Sequence, residues 1–317
     1  MDNWKDEYYK LMFSKNPIEI NFDKADQVKK INLPKKIYKY QGIDEYSLKN
    51  LHNNQLFFRN ASDFNDPYDS ALTVGDLNYV KLDQVDKMAT IYAKATKLPF
   101  FEVKNYFTNY PINEAFSMLV SNTPLNITDK DRSLLLAKIL YGINKEDERF
   151  LESISNMYQK RIYATCFSEI PNSMLMWSHY ANNHKGMVLE YDFTELYSKE
   201  FLELFLGLHP VHYNDKLLNL NDYENVKEKI NLSTLAAISK SNEWLYENEW
   251  RILIKQKEYE SGIEVPFIKP QRIILGARVN QVHKIFLSVE AKERKIPINQ
   301  IQLDRSNYKL KISDLEF

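Results

Sequence analysis

At 317 residues, with 44% hydrophobic and 13% aromatic side chains, the chain has the material for a sizeable core, which excludes gross disorder. Its 42 Lys and Arg nearly cancel its 43 Asp and Glu, which excludes a global basic footprint for nucleic acid and leaves room only for a local basic patch. Seven glycines, with neither GxGxxG nor GxxxxGK[ST], argue against Rossmann and P-loop nucleotide binding, and a single cysteine, Cys166, excludes an internal disulfide framework.

The start, MDNWKDEYYKLMF, is charged and amphipathic, unlike a signal peptide, and no apolar run approaches the roughly 18 residues of a membrane span. A soluble, cytoplasmic protein without membrane contact is expected. In chain order, Trp4, Tyr8, Leu11 and Met12 recur at helical spacing and give an N-terminal helical region, 1–34, that runs out into a linker with Pro17 and Pro34. Lys36–Tyr40 suits a strand, Asp44–Asn53 a helix with Tyr46 or Ser47, Leu48 and Leu51 inward, and Gln55–Arg59 a second strand. Ala61–Asp69 (ASDFNDPYD) is dense in turn formers.

Four segments between about 78 and 161 carry apolar residues at three- and four-residue steps, which predicts an inserted helical subdomain. Strand patterns return at Ile162–Phe167 and Gly186–Phe193, around a helix over Asn172–Ala181 that Gly186 would end in a left-handed conformation. Helical character over Leu218–Ser241 precedes strands at Trp250–Ile254, Ile263–Phe267, Ile273–Leu275 and Lys284–Leu287. The predicted class is α+β: one domain over 1–317, with a mixed, mainly antiparallel sheet, flanking helices and the helical insertion.

Three clusters could carry chemistry. In NEWLYENEWRILI, an extended backbone would put Glu247, Glu249 and Arg251 on one face at roughly 6.7 Å steps, with Tyr246 and Trp250 on the other. Two buried carboxylates at that spacing require a raised pKa or an offsetting cation such as Arg251. The alternative is a solvated strand edge with an internal Glu–Arg pair. In PNSMLMWSHYANNHKG, Trp177, His179, Tyr180 and His184 crowd one helix. The two histidines are five apart, which does not suit two metal ligands on one helix face, and no metal is expected. In FNDPYD, Asn65 and Asp66 are turn formers on a loop of the kind where sites are built. Cys166 falls in an apolar strand pattern and reads as a small buried residue.

KIYKYQGIDEYSLKNLHNNQLFFRNASDFNDPYDSAL, TCFSEIPNSMLMWSHYANNHKGMVLEYDF, WLYENEWRILI and IILGARV together resemble the bacterial domain of unknown function 2971 family, over roughly Lys36–Val279 without the helical block. The ordered elements from Ile37 to Pro67 are also similar to the opening of ADP-ribosyltransferase-like folds, with Lys39 and Tyr40 near the place where that fold's first strand carries a histidine. Thr165–Ser168 is loosely like its Ser-Thr-Ser strand, and Glu247-Asn248-Glu249 is similar to its Glu-x-Glu signature. That second resemblance implies NAD as substrate and cleavage of its nicotinamide–ribose bond, through an oxocarbenium-like state, by a toxin or phage-defence effector acting on a protein or nucleic-acid acceptor. It implies Glu249 as the carboxylate on the ribose, Glu247 and Arg251 beside it, and His179 within the catalytic group. Lys39, Tyr40, Arg59, Asn65, Asp66, Ser168, Trp177 and Tyr180 would hold a nucleotide-like small molecule. Two rivals stand beside this reading. One is a non-catalytic binding module of the same family. The other is a metal-dependent hydrolase or nuclease using Asp66, Asp69, His179, Glu247 and Glu249. Every catalytic version requires Lys39, Asp66, His179 and Glu249 to converge on one pocket.

Overall fold

The computed structural model describes residues 3–73, 82–124, 128–223, 225–226, 230–256 and 260–315. No helix among them is long and apolar enough to cross a membrane. The chain divides into two compact units, one of residues 1–71, 156–218 and 223–317 and one of residues 72–155 and 219–222.

The elements run in the order α1 (Asn3–Phe13), α2 (Phe22–Ile31), β1 (Ile37–Gln41), α3 (Glu45–Asn53), β2 (Gln55–Asn60), β3 (Leu72–Thr73), α4 (Leu82–Thr96), α5 (Phe100–Asn109), α6 (Ile112–Asn122) and α7 (Asp129–Gln159). There follow β4 (Ile162–Ser168), α8 (Met174–His179), β5 (Met187–Tyr191), α9 (Leu202–Leu206), β6 (Leu208–Pro210), β7 (His212–Asn214), β8 (Leu218–Asn219), α10 (Leu232–Ile238) and β9 (Ser239–Ser241). The chain ends through β10 (Glu249–Lys255), β11 (Gly262–Pro266), β12 (Arg272–Leu275), α11 (Gln281–Glu293), β13 (Ile298–Leu303) and β14 (Leu310–Asp314).

The larger unit is α+β, built on a mixed, mainly antiparallel sheet ordered β11-β2-β4-β1-β5-β12-β13-β14, with β10 and β6 branching from β4. Only the β12–β13 pair is parallel among these strands, and α11 makes the crossover that a parallel pair needs. The core lies against one face of the sheet, where Phe58, Tyr163, Trp250, Ile252 and Ile273 are all fully buried. Trp250 and Ile252 point there, so by the two-residue period of a strand Glu249 and Arg251 point to the opposite face. The helical unit has its own core around Val103, Phe107, Phe116 and Leu119, with Phe107 and Phe116 ring centroids 5.5 Å apart.

Several expectations change. The region 1–34 holds two helices, because Asn21 caps α2 by accepting the Lys24 N–H at 3.0 Å where a linker was expected. Lys284–Leu287 lies within α11, not a strand; Asn280 caps that helix by accepting the His283 N–H at 2.7 Å. Over 218–241 the described residues make two short strands, a 3-10 turn over Leu220–Tyr223 and a short helix. The expected helical block begins at 78, and its residues 78–81 lie outside the described ones. Helix α8 is only six residues long, and the left-handed conformation falls on Asn182, Asn183 and His184 instead of Gly186. Gly186 is needed for close approach: a Cβ there would meet the Gln41 carbonyl oxygen at 2.3 Å.

Candidate functional site

The sheet forks at β4. Strand β10 follows one edge of β4 for its whole length, from Lys255↔Ile162 to Glu249↔Ser168. On the other edge β2 pairs only with Tyr163 and Ala164, and β1 only with Ser168. A cavity of about 770 Å³, within the range of small-molecule sites, is lined at this fork by Thr165, Cys166 and Phe167. Helix α3, which joins β1 to β2, lines it as well. The helix starts sharply because Asp44 and Ser47 cap each other's backbone: Asp44 Oδ1 accepts the Ser47 N–H at 2.7 Å, and Ser47 Oγ accepts the Asp44 N–H at 2.9 Å.

The floor is a closed ionic network. Arg251, 1% exposed, donates from Nη1 and Nη2 to the two oxygens of Asp69 at 2.7 Å each. It also donates from Nε and Nη2 to Glu249 at 2.7 and 3.0 Å, and from Nη1 to the Ala237 carbonyl at 2.6 Å, which occupies all five of its N–H groups. Lys240 Nζ donates to Glu247 Oε2 at 2.6 Å and Glu249 Oε2 at 2.9 Å, and lies 3.9 Å from Asp69. Tyr180 Oη donates to Glu247 Oε1 at 2.7 Å. Glu247 and Glu249 do not sit on one extended strand. Glu247 ends a short 3-10 turn, Asn248 adopts a left-handed φ of 42°, and only Glu249 opens β10. The turn at Asn248 brings both carboxylates onto Lys240. Ser168, expected to touch a ligand, fixes this turn instead by donating to the Glu247 carbonyl at 2.5 Å.

Three carboxylates face two cations here, so the network carries one excess negative charge when all are ionised. The cost falls on one member of the acid pair. Burial, then the charge of Glu249, pushes the Glu247 carboxyl up, against the pull of Lys240 and Tyr180. Burial acts the same way on Glu249, but the charges of Arg251 and Lys240 outweigh it and hold that carboxyl well below its usual range. The environment thus splits a Glu-x-Glu pair into a fixed carboxylate and one with affinity for a proton. Across the cavity Lys39 donates to Thr165 Oγ1 at 2.6 Å, and burial lowers its pKa to about 8, with Arg59 lowering it further. Arg59 is exposed, and no carboxylate pairs with either cation among the described residues.

Of the residues expected at the site, Lys39, Tyr40, Arg59, Asn65, Tyr180, Glu247, Glu249 and Arg251 line this one cavity. Four do not. His179 is exposed and leans edge-on against Tyr180 and Trp244. Asp66 accepts the Tyr68 N–H at 2.9 Å as an ordinary turn former, and it is Asp69, three residues on, that reaches the network. Trp177 is fully buried behind Tyr40, its indole N–H bonded to the Pro171 carbonyl. Ser168 is the buried tie to Glu247. Of the four residues required to converge, Lys39 and Glu249 do so, and Asp66 and His179 do not, so the requirement as set fails. Asp69 and Glu247 line the cavity in their place, and a catalytic reading has to stand on Lys39, Glu247 and Glu249 without Asp66 or His179. Of the ligand set of the metal-dependent reading, Asp66 and His179 lie apart, and Asp69, Glu247 and Glu249 are together but already paired with Arg251 and Lys240. Among the described residues no group of three His, Cys, Asp or Glu is arranged to hold a metal ion.

Lys240 is the site residue that the sequence hid. It lies on β9, in a segment whose apolar spacing looked helical, and β9 pairs with β7 so that Lys240 sits opposite Tyr213. Tyr213 Oη in turn accepts the Glu249 N–H at 2.9 Å. A lysine seven and nine residues ahead of two glutamates was the available signal.

Comparison with curated proteins and with solved structures returns no match. Residues 176–252, which carry Tyr180, Lys240 and the Glu247–Arg251 strand entry, match the family described as Protein of unknown function (DUF2971).

Proposed function

We propose that the cavity at the sheet fork binds NAD and cleaves its nicotinamide–ribose bond, transferring ADP-ribose to water or to an acceptor. The observation that supports this reading is the convergence, in one cavity, of a split carboxylate pair (Glu247 and Glu249) with two cations, Lys39 and Arg59, that pair with no carboxylate among the described residues. The cations suit the pyrophosphate. The carboxylates suit the ribose, where positive charge develops as the C1′–N bond breaks and its electron pair leaves with neutral nicotinamide. Glu249, held ionised, supplies the opposing charge. Glu247 takes the proton of the incoming hydroxyl as the new C1′–O bond forms. Free nicotinamide, measured after incubation of the protein with NAD, should exceed the protein-free control; none released would reject the reading.

One observation favours the rival, a non-catalytic binding module. Glu249 already accepts three N–H bonds from Arg251 and Lys240, as a structural carboxylate would. In that case the module holds a ligand or partner without chemistry, and NAD incubated with the protein is recovered intact.

A further inference from the structure

Among the described residues three buried side-chain polar atoms have no hydrogen-bond partner, and two of them, Asn50 Oδ1 and Gln55 Oε1, belong to residues lining the cavity. An orphaned buried acceptor is unfavourable and rare in folded proteins, so two on one wall call for a physical reason. Asn50 is 8% exposed and lies on the last turn of α3. Asn54 closes that helix in a left-handed conformation, with its N–H donating to the Asn50 and Leu51 carbonyls, and β2 begins at the next residue, Gln55. The abrupt helix-to-strand junction thus puts both amides on one wall.

Strand β2 extends this wall. Its burial alternates, so Gln55, Phe57 and Arg59 share a face at roughly 6.7 Å steps, and all three line the cavity. Phe57 is 41% exposed, and its ring lies over Gly262, where a Cβ would meet it at 2.0 Å. Read along the strand, the wall runs amide, aromatic face and cation over about 13 Å. The two orphaned oxygens, which show almost no surface to solvent in the free protein, meet a ligand through rotation of their side chains toward the cavity. A ligand that complements this order has N–H donors on a planar ring at one end and an anionic group at the other.

We infer that Asn50 and Gln55 form a base-recognition subsite for the exocyclic amine edge of an adenine nucleotide, with Phe57 against the ring and Arg59 toward the phosphates. Side-chain amides match adenine because they accept from its N6 amine while offering a donor to N7. A buried site built to bond such a group discriminates strongly against an analogue that lacks it. Hypoxanthine replaces the amine by a carbonyl and sets acceptor against acceptor.

The inference rests on reading the cavity as a nucleotide site but not on NAD cleavage, so binding at equilibrium tests it without turnover. Titration of the full chain should give ADP at least a tenfold higher affinity than inosine diphosphate, with nicotinamide mononucleotide weaker than ADP. Asn50→Leu should abolish that selectivity and, by removing an orphaned acceptor, raise the melting temperature of the free protein. Equal binding of ADP and inosine diphosphate overturns the inference, as does no ADP binding, tighter binding of nicotinamide mononucleotide, or selectivity kept in Asn50→Leu. ADP selectivity without nicotinamide release retains this subsite and rejects the catalytic reading.

Discussion

Arg251 bonds two carboxylates and a carbonyl at once, and it does so 1% exposed. Arg251→Met leaves Asp69 and Glu249 buried with only Lys240 to offset them. We expect a loss of about 3–5 kcal/mol, read from the midpoint of urea unfolding at unchanged slope. By the same reasoning Glu249→Gln lowers stability whether or not Glu249 touches a ligand, because it takes a charge away from both Arg251 and Lys240. It cannot separate a catalytic from a structural role. Glu247→Gln can: a neutral amide still meets Tyr180 and Lys240, and the network's excess negative charge disappears. Lys39 gives a pH prediction. Its folded pKa of about 8 lies below the ordinary 10.5, so between these values the unfolded chain binds the proton that the folded chain has released. The stability of the wild type relative to Lys39→Met should therefore rise from pH 8 to 10.5, while affinity for a phosphate-bearing ligand falls as pH passes about 8. Glu247, Glu249 and Arg251 were legible in the sequence because charges crowd the entrance of an apolar strand. Asp69 was named only as a possible metal ligand, not as the partner of Arg251, and Lys240 and Asn50 were not legible at all, because what distinguishes them is a partner, or a missing one, supplied by the fold.

At the scale of elements, the turn at Asn248 decides whether the acid pair converges. Asparagine tolerates the left-handed φ of 42° through which Glu247 and Glu249 both reach Lys240. Asn248→Gly should fold normally, whereas Asn248→Val should cost about 1–2 kcal/mol in chemical denaturation. Gly262 shapes the opposite wall. A methyl there strikes only the end of the Phe57 ring, so Gly262→Ala should displace that ring and weaken ligand binding with little change in melting temperature. Most strands facing the cavity were readable from apolar runs bounded by turn formers, and β1, β2, β4 and β10 lie within a residue or two of expectation. The failures share a cause. The stretch Lys284–Leu287 has a strand-like apolar run, but the Asn280 cap commits it to α11, and β13 and β14 carry polar residues on a solvated edge with too little apolar alternation to be noticed. Asp66 was preferred to Asp69 for its place in a turn motif, and the turn is all it makes.

At the scale of the whole molecule, the larger unit places a cavity at a fork of its own sheet, with cations and amides on the β1, β2 and α3 side and the carboxylate pair on the β9 and β10 side. The α+β class could be read from the order of strand and helix patterns. The fork could not, because it depends on β1 and β2 pairing with different ends of β4, which no local pattern records. The proposed chemistry turns on Glu247 as the group that takes the proton of the incoming hydroxyl. The most direct measurement is nicotinamide release from NAD and melting temperature, taken together on wild type and Glu247→Gln. Loss of a positioned general base should lower turnover roughly 100-fold or more while the melting temperature stays close to that of the wild type. Turnover that survives the substitution, or that falls only in step with the melting temperature, would exclude Glu247 as the proton acceptor.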